Sequence, residues 1–172
     1  MTIDVAIRLE QPVDLPAIRA VNLAAFAKAA EANLVDVLRA NGKATLSLVA
    51  VQDNQVVGHI LFSPATMDSN DADCRVLALG PMAVLPGRQG QGIGSILVRA
   101  GLDHCKQAGV GCIVVLGHPT FYPRFGFKTA SQFGIGSEYD VHAKYFMVAE
   151  MADGALSKIS GIARYEPEFA GV

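Results

Sequence analysis

Four glycines, at positions 87, 90, 92 and 94, stand where the sequence changes from an extended to a helical pattern. Residues 75–84 before them have the apolar, β-branched character of a strand, and residues 93–109 after them carry apolar side chains at helical spacing. A glycine-rich turn at the start of a helix exposes backbone N–H groups, and the helix dipole favours negative charge there. The spacing therefore predicts a phosphate-binding turn formed by the main chain.

Two common phosphate-binding patterns do not fit this turn. A nucleotide-binding P-loop that begins at Gly87 would need Lys and a hydroxyl residue where Ile93 and Gly94 stand. The dinucleotide pattern Gly-x-Gly-x-x-Gly fails in both registers, because its third glycine would fall on Ser95 or Leu97. ATP or GTP hydrolysis is disfavoured, and a nicotinamide or flavin oxidoreductase remains only as a minor alternative.

The match that remains is Gln89-x-x-Gly92-x-Gly94, within residues 79–98. This segment resembles the acetyl-CoA motif of the GCN5-related N-acetyltransferase (GNAT) family, together with the strand before it. Residues 121–127, Phe-Tyr-Pro-Arg-Phe-Gly-Phe, resemble the family's Phe-Tyr-x-x-x-Gly-Phe segment. The order of elements is similar over nearly the whole chain, and the C-terminal part resembles a subgroup of small bacterial members.

The resemblance implies that acetyl-CoA is the co-substrate. In the family, loop N–H groups bind the pyrophosphate of coenzyme A, and the strand before the loop offers backbone groups to the pantetheine arm and the thioester oxygen. The first role carries over to Gln89, Gly90, Gln91, Gly92, Ile93, Gly94 and Ser95. The second role carries over to Met82, Ala83 and Val84, whose side chains are apolar.

The reaction that the resemblance implies is direct attack on the thioester by a primary amine of a small molecule, a peptide or a protein. Tyr122 matches the family tyrosine that donates a proton to the departing thiolate, although the same residue could simply pack against the sheet. An acceptor amine is therefore the expected partner.

The general base is left open by the sequence. Family members often use a carboxylate on the central strand, and residues 75–84 contain none. Glu31 is one candidate, with stabilisation of a helix N-terminus as its other role, and His118 is a second candidate that could be purely structural. A chain of water molecules to either is a further alternative. The missing carboxylate also supports a rival interpretation, a non-catalytic acyl-CoA-binding module.

The predicted helices and strands, which must position these residues, indicate an α/β fold with a mixed sheet. Helical periodicity covers residues 15–27, a segment around residues 34–38, and residues 93–109. Strands are expected at residues 3–8, 45–51, 56–62, 75–84, 112–116, 144–151 and 161–165, and the second and third of these are expected to form a hairpin. The polar stretch 68–73 is expected to turn, and residues 121–127 indicate one helical turn followed by a further strand. We expect a single N-acetyltransferase domain over residues 1–172, a twisted sheet of six or seven strands with helices on both faces, and one parallel crossover around the glycine turn.

Composition narrows the class of protein. The 172 residues carry a net charge of -2 with 14 scattered Lys and Arg, so nucleic acid is not an expected partner. The apolar runs are too short for a membrane span, and neither the three cysteines nor the four histidines have metal-ligand spacing. We expect a cytoplasmic protein without a metal, whose cysteines are buried. The oligomeric state is left open, with a homodimer as the form that closed symmetry favours.

Overall fold

The structure is a computed structural model that describes residues 3–71 and 73–172; Met1, Thr2 and Ala72 lie outside the described residues. The α-helices are α1 (Leu15–Ala25), α2 (Ala30–Ala40) and α3 (Ile93–Gln107). The strands are β1 (Ala6–Leu9), β2 (Leu46–Gln52), β3 (Gln55–Asn70), β4 (Val76–Val84), β5 (Cys112–Leu116), β6 (Lys128–Thr129), β7 (Ile135–Ser137), β8 (Phe146–Glu150) and β9 (Ile159–Tyr165). The mixed α/β class is as predicted.

The chain forms two compact units. The first unit comprises the described residues up to Ser63, together with Gly80–Gly101 and Pro167–Val172. The second unit comprises Pro64–Leu79 and Leu102–Glu166. Strands β3 and β4 and helix α3 each contribute residues to both units.

In the first unit, β1, β2 and the first half of β3 form an antiparallel sheet. The predicted hairpin joins β2 to β3 through Asp53 and Asn54, whose φ angles of 53° and 60° lie in the left-handed region. Asp and Asn tolerate that region better than most residues, so the turn chemistry fits the hairpin. The register places Leu61 opposite Ser47 and fixes which face of the sheet each side chain occupies.

Helices cover both faces of this three-stranded sheet. On one face, buried apolar side chains of α1 and α2 pack against Val49 and Leu61. On the other face, the ring of Phe62 lies against Gly101 of α3, so close that a Cβ at Gly101 would be 2.5 Å from ring atom Cε2. Alternation of side chains along β3 accounts for the two layers. Within this unit, the expectation of helices on both faces is confirmed.

The second unit contains the parallel pairing that the crossover predicts. Residues Val76–Leu79 of β4 pair in parallel with β5, which pairs antiparallel with β8, and β8 pairs with β6. The second half of β3 pairs antiparallel with β9, and β9 pairs in parallel with β7. Cys74, Cys105 and Cys112 are all buried, as expected, and none forms a disulfide.

The described residues contain nine strands, more than the six or seven expected. The strand expected after the helical turn at residues 121–127 is β6, which has two residues, whereas β7, which has three, was not expected. Both lie where the sequence is rich in Gly, Ser and aromatic residues. Strand β3 also continues past Phe62 to Asn70, through a polar stretch expected to turn. Pairing with β9, distant in sequence, supplies the hydrogen bonds that this stretch needs.

Among the helices of residues 3–71 and 73–172, none is both long enough and apolar enough to pass through a membrane.

Candidate functional site

The glycine turn leaves the end of β4 and enters α3. After Val84 the chain makes one turn of 3₁₀-helix at Pro86–Arg88, and α3 begins at Ile93. Gly90 and Gly92 have φ angles of 75° and 87°, in a region that residues with a Cβ rarely adopt. The backbone path of the turn therefore requires glycine at both positions, as the sequence pattern implies.

Three hydrogen bonds within the first unit hold the turn in place. The backbone N–H of Leu85 donates to the carbonyl of Val57 on β3 (2.9 Å). The side-chain amide of Gln89 donates to the carbonyl of Val84 (3.0 Å). The guanidinium of Arg88 donates to the side-chain oxygen of Gln52 (2.6 Å). These bonds join the turn to β3, to the end of β4 and to Gln52, and they hold it within the first unit.

The N-terminus of α3 can bind an anion. Its first intrahelical bond joins Ile96 N–H to Gly92 C=O (3.1 Å), so the N–H groups of Ile93 and Gly94 have no carbonyl one turn earlier in the helix. The first turn carries no acidic side chain, and Gly92 is exposed. A Cβ at Gly90 would meet no atom of the described residues within 4 Å, which leaves space above the main chain there, whereas a Cβ at Gly92 would lie 3.0 Å from Cδ1 of Ile3. These features fit a diphosphate.

The residues expected to support the pantetheine arm lie in the second half of β4. The parallel pairing of β4 with β5 covers Val76–Leu79, and Met82, Ala83 and Val84 lie beyond it. Ala83 is buried in the core formed with α1 and α2. Its carbonyl comes so close to Gly58 of β3 that a Cβ there would be 3.3 Å from the oxygen. The backbone at Ala83 is thus fixed by packing.

Tyr122 lies in the second unit, in a short 3₁₀-helix that follows β5. Its side chain is buried, and burial raises the pKa of the phenol to about 12. The ring makes edge contacts with Phe121 and Phe127, at centroid distances of 5.0 and 5.6 Å. A phenol with this pKa stays protonated at neutral pH and can serve as a proton donor.

His118 belongs to the same turn but is exposed. Its carbonyl accepts hydrogen bonds from the N–H groups of Phe121 (3.1 Å) and Tyr122 (3.4 Å). The turn thus brings two of the predicted catalytic residues together through the backbone. Gly117 was not among the predicted site residues, and its missing side chain leaves room for the Tyr122 ring. The only sequence signal is a glycine directly after a strand.

Glu31 lies in the first turn of α2, in the first unit. One of its carboxylate oxygens, Oε2, is buried and has no hydrogen-bond partner among residues 3–71 and 73–172. Leu34 and Val35, three and four residues later, point from the same side of the helix into the core. Glu31 as a whole is half-buried, and this one oxygen of its carboxylate is directed towards the core.

Metal chemistry has no candidate centre in the part of the chain that the structure describes. In residues 3–71 and 73–172, no three side chains of the types His, Cys, Asp and Glu come together in a way that could hold a metal ion.

Comparisons with known proteins identify the family of the chain. Residues 15–127 match the acetyltransferase (GNAT) family. The chain is 38% identical over 164 residues to the uncharacterized N-acetyltransferase YhbS of Escherichia coli strain K12, covering 95% of this chain and 97% of that protein.

Two solved structures are similar over almost the whole length. The crystal structure of E. coli YhbS in complex with CoA has a TM-score of 0.91 and 36% identity, covering 98% of this chain and 93% of that chain. A GNAT acetyltransferase from Brucella melitensis in complex with acetyl-CoA has a TM-score of 0.79 and 37% identity, covering 96% and 97%. On the family match and these identities, the chain belongs to the GNAT family of N-acetyltransferases.

Proposed function

We propose that this protein transfers the acetyl group of acetyl-CoA to a primary amine of a small molecule, peptide or protein. The observation that carries the proposal is the turn from Gln89 to Ser95, where two glycines with positive φ lead into a helix N-terminus without acidic side chains. The CoA and acetyl-CoA complexes of the two similar proteins support the same ligand.

In this proposal the main chain binds the cofactor. The N–H groups at Gln89, Gly90, Gln91, Gly92, Ile93, Gly94 and Ser95 would hold the pyrophosphate. The backbone of Met82, Ala83 and Val84 would contact the pantetheine arm and polarise the thioester carbonyl. Both assignments follow the family motif, and the fixed turn and the packed Ala83 support them because binding then needs no rearrangement of the chain.

The reaction requires two proton transfers. The amine nitrogen forms a bond to the acetyl carbon, the carbon–sulfur bond breaks, and the amine loses a proton while the thiolate gains one. We assign proton donation to the Tyr122 hydroxyl, which the raised pKa of the phenol keeps protonated at neutral pH. When bound, acetyl-CoA supplies the activated acyl group, and the residues of the chain supply orientation and protons.

For the proton from the amine, two residues are candidates, Glu31 and His118. We favour Glu31 as the group that receives the acceptor, because a buried carboxylate oxygen without a partner is costly unless a donor satisfies it. A protonated amine carries such donors. His118 is exposed and could act through water.

We also propose that residues 1–172 form one catalytic domain, that the protein works in the cytoplasm, and that a homodimer is its assembled form. The near-complete coverage of similar proteins supports the first point. Three buried cysteines outside any disulfide suit a reducing compartment. The homodimer is supported by the fact that most soluble oligomers have closed symmetry, with the two-fold dimer as the most common form.

A non-catalytic acyl-CoA-binding module is the second candidate function, favoured by the absence of a carboxylate from β4. The two functions separate in one experiment. Acetyl-CoA binding is measured by calorimetry, and thiol release is followed with spermidine, lysine and phenylethylamine as acceptors. Thiol release that depends on an amine supports the enzyme, and binding without release on any amine supports the module.

The variant Gly92→Glu tests the binding turn. It adds a side chain at a positive φ and a negative charge beside the proposed diphosphate, so we expect the affinity for acetyl-CoA to fall at least tenfold. Gly171→Glu is the matched control, because it adds the same charge at an exposed position where a Cβ meets no atom within 4 Å. Equal affinity for acetyl-CoA in Gly92→Glu and the control would contradict the assignment of this turn as the pyrophosphate-binding site.

A further inference from the structure

The ring of Tyr122 occupies the space that a side chain at residue 117 would need. A Cβ built on Gly117 would overlap ring atom Cε2 of Tyr122 and lie 2.8 Å from Cδ2 and 3.3 Å from Cζ. Carbon atoms that are not bonded pack at about 3.5–4.0 Å. The ring therefore rests directly on the backbone of Gly117.

The remaining neighbours restrict the ring from other sides. Phe121 and Phe127 meet it edge-on, with interplanar angles of 88° and 76°. Phe127 is only 2% exposed, so it has little freedom to move away. These two rings and the backbone of Gly117 together restrict the Tyr122 ring, and the missing side chain at Gly117 provides part of the space that it occupies.

The backbone of Gly117 is itself held. Its N–H donates to the carbonyl of Tyr145, which directly precedes β8, at 2.9 Å. The next residue, His118, accepts the N–H groups of Phe121 and Tyr122 and closes the turn. Residue 117 is thus tied to the end of β5 and to the segment before β8. These backbone contacts fix the surface on which the Tyr122 ring lies.

We propose that Gly117 is a positioning residue for acetyl transfer, because its bare backbone sets the place of the Tyr122 phenol oxygen. This inference rests on the proposed function, in which that oxygen protonates the departing thiolate. Gly117 contacts the ring and not the reacting atoms, so it acts only through Tyr122. A misplacement of a catalytic group by about 1 Å can lower a rate roughly a hundredfold. A methyl group added at residue 117 would displace the phenol and so lower kcat.

The test is a double-mutant cycle on kcat with acetyl-CoA and the best acceptor of the amine panel. Gly117→Ala in the otherwise unchanged protein is expected to lower kcat about tenfold to hundredfold with little change in the KM for acetyl-CoA. In a Tyr122→Phe background, where the ring stays but the hydroxyl is gone, the same substitution is expected to change kcat by less than about twofold. Gly171→Ala is the control.

The outcomes distinguish a failure of the role of Gly117 from a failure of the proposed role of Tyr122 as proton donor. If Gly117→Ala lowers kcat equally in both backgrounds, or in neither, Gly117 does not act through the phenol and the inference is wrong. If Tyr122→Phe keeps full kcat, the proton-donor role fails and the inference falls with it. If Tyr122→Phe loses kcat while Gly117→Ala retains it, the proton donor stands and only the inference fails.

A second measurement needs neither turnover nor an acceptor. The chain has four tyrosines, so labelling with 3-fluorotyrosine gives four ¹⁹F resonances that Tyr→Phe variants assign. Gly117→Ala is expected to shift the Tyr122 resonance more than the others, and an unshifted resonance would overturn the inference. If Gly117→Ala does not fold, adding Tyr122→Leu, which removes the ring from the space at residue 117, is expected to restore folding, and a failure to restore it would overturn the inference.

Discussion

The Nε2 atom of His59 lies 2.8 Å from the hydroxyl oxygen of Ser47, and both residues are buried in the first unit. The other ring nitrogen, Nδ1, is 3.3 Å from the side-chain nitrogen of Asn22. Since that amide nitrogen donates, Nδ1 accepts and Nε2 carries the proton. Beyond Ser47 lies the carboxylate of Glu10, which is paired with Arg39 at 2.8 Å. The result is a polar chain through the core with a neutral imidazole inside it.

The pH dependence of stability follows from His59. Burial lowers the pKa of this imidazole to about 4, with the positive charge of Arg39 adding to the effect and Glu10 opposing it. The unfolded chain, with a pKa near 6.5, binds the proton first as pH falls. Stability is therefore complete above about pH 6.5 and is lost towards pH 4, by about 2 kcal/mol between pH 7 and pH 5. Urea unfolding at the two pH values measures the loss.

The matched variants for this measurement are His59→Gln and His104→Gln. His59→Gln removes the titrating group, so its free energy of unfolding should change less between pH 7 and pH 5 than that of the unchanged protein. His104 is exposed on α3, and its replacement should keep the full dependence. An equal slope in His59→Gln and the unchanged protein would contradict the role of His59.

The pH profile of turnover reports on Tyr122. Because burial raises the pKa of the phenol to about 12, the hydroxyl keeps its proton well above neutral pH. We expect that kcat does not fall through ionisation of Tyr122 between about pH 8 and pH 10, where an ordinary tyrosine begins to ionise. Tyr122→Phe should lower kcat about a hundredfold over this whole range.

The exposed Tyr145 provides the comparison for that variant. Tyr145→Phe should keep both kcat and the affinity for acetyl-CoA. If Tyr122→Phe loses affinity for acetyl-CoA as strongly as it loses kcat, the tyrosine is a packing residue, which is the alternative that the sequence analysis left open.

Packing of α3 on the sheet gives a stability prediction. A Cβ at Gly101 would lie 2.5 and 2.6 Å from two ring atoms of Phe62, which is fully buried and cannot move into solvent. Gly101→Ala gains about 1 kcal/mol of helix propensity, but overpacking costs about 1–3 kcal/mol, so we expect a net loss of about 1 kcal/mol. Chemical denaturation measures it.

The compensating substitution is Phe62→Leu, which shortens the side chain opposite Gly101. In that background Gly101→Ala should no longer destabilise, since helix propensity is then the larger effect. A loss of the same size in both backgrounds would show that the Phe62 ring is not the cause.

Local sequence signals predicted the parts of the fold that depend on neighbouring residues. Strand β5, Cys112–Leu116, has the expected bounds, and the glycine-rich turn lies before the helix as expected. The structure adds that Gly90 and Gly92 have positive φ angles, which explains why glycine stands at these two positions. The extension of β3 to Asn70 was not predicted. It depends on pairing with β9, almost a hundred residues away, and nothing in the local sequence records that partner.

Side-chain geometry marks the limit of prediction for the candidate site. Glu31 could be proposed from its place at a helix start, but only the structure reveals that Oε2 is buried without a partner. The contact of Gly117 with Tyr122 depends on how the turn at His118 closes. Ser47 and His59 lie on neighbouring strands, and their contact follows from a register that a shift of one residue would abolish.

Glu31 allows a prediction in which stability and activity change in opposite directions. As a helix-start residue that only stabilises the dipole of α2, it would contribute about 0.3–1 kcal/mol, and Glu31→Ala would destabilise the protein by that amount. A buried oxygen without a partner instead costs about 1–3 kcal/mol. The larger effect decides, so we expect Glu31→Ala to raise the free energy of unfolding by about 1 kcal/mol.

The same variant should lose activity. With the carboxylate gone, the acceptor amine has no partner at this position, so kcat/KM for the amine should fall at least tenfold while the affinity for acetyl-CoA is retained. His118→Asn, measured beside it, shows how far the exposed imidazole contributes. A less stable Glu31→Ala protein with unchanged kcat/KM would assign Glu31 to the helix dipole alone. A more stable and less active one identifies a carboxylate that is kept for the acceptor at the expense of the fold.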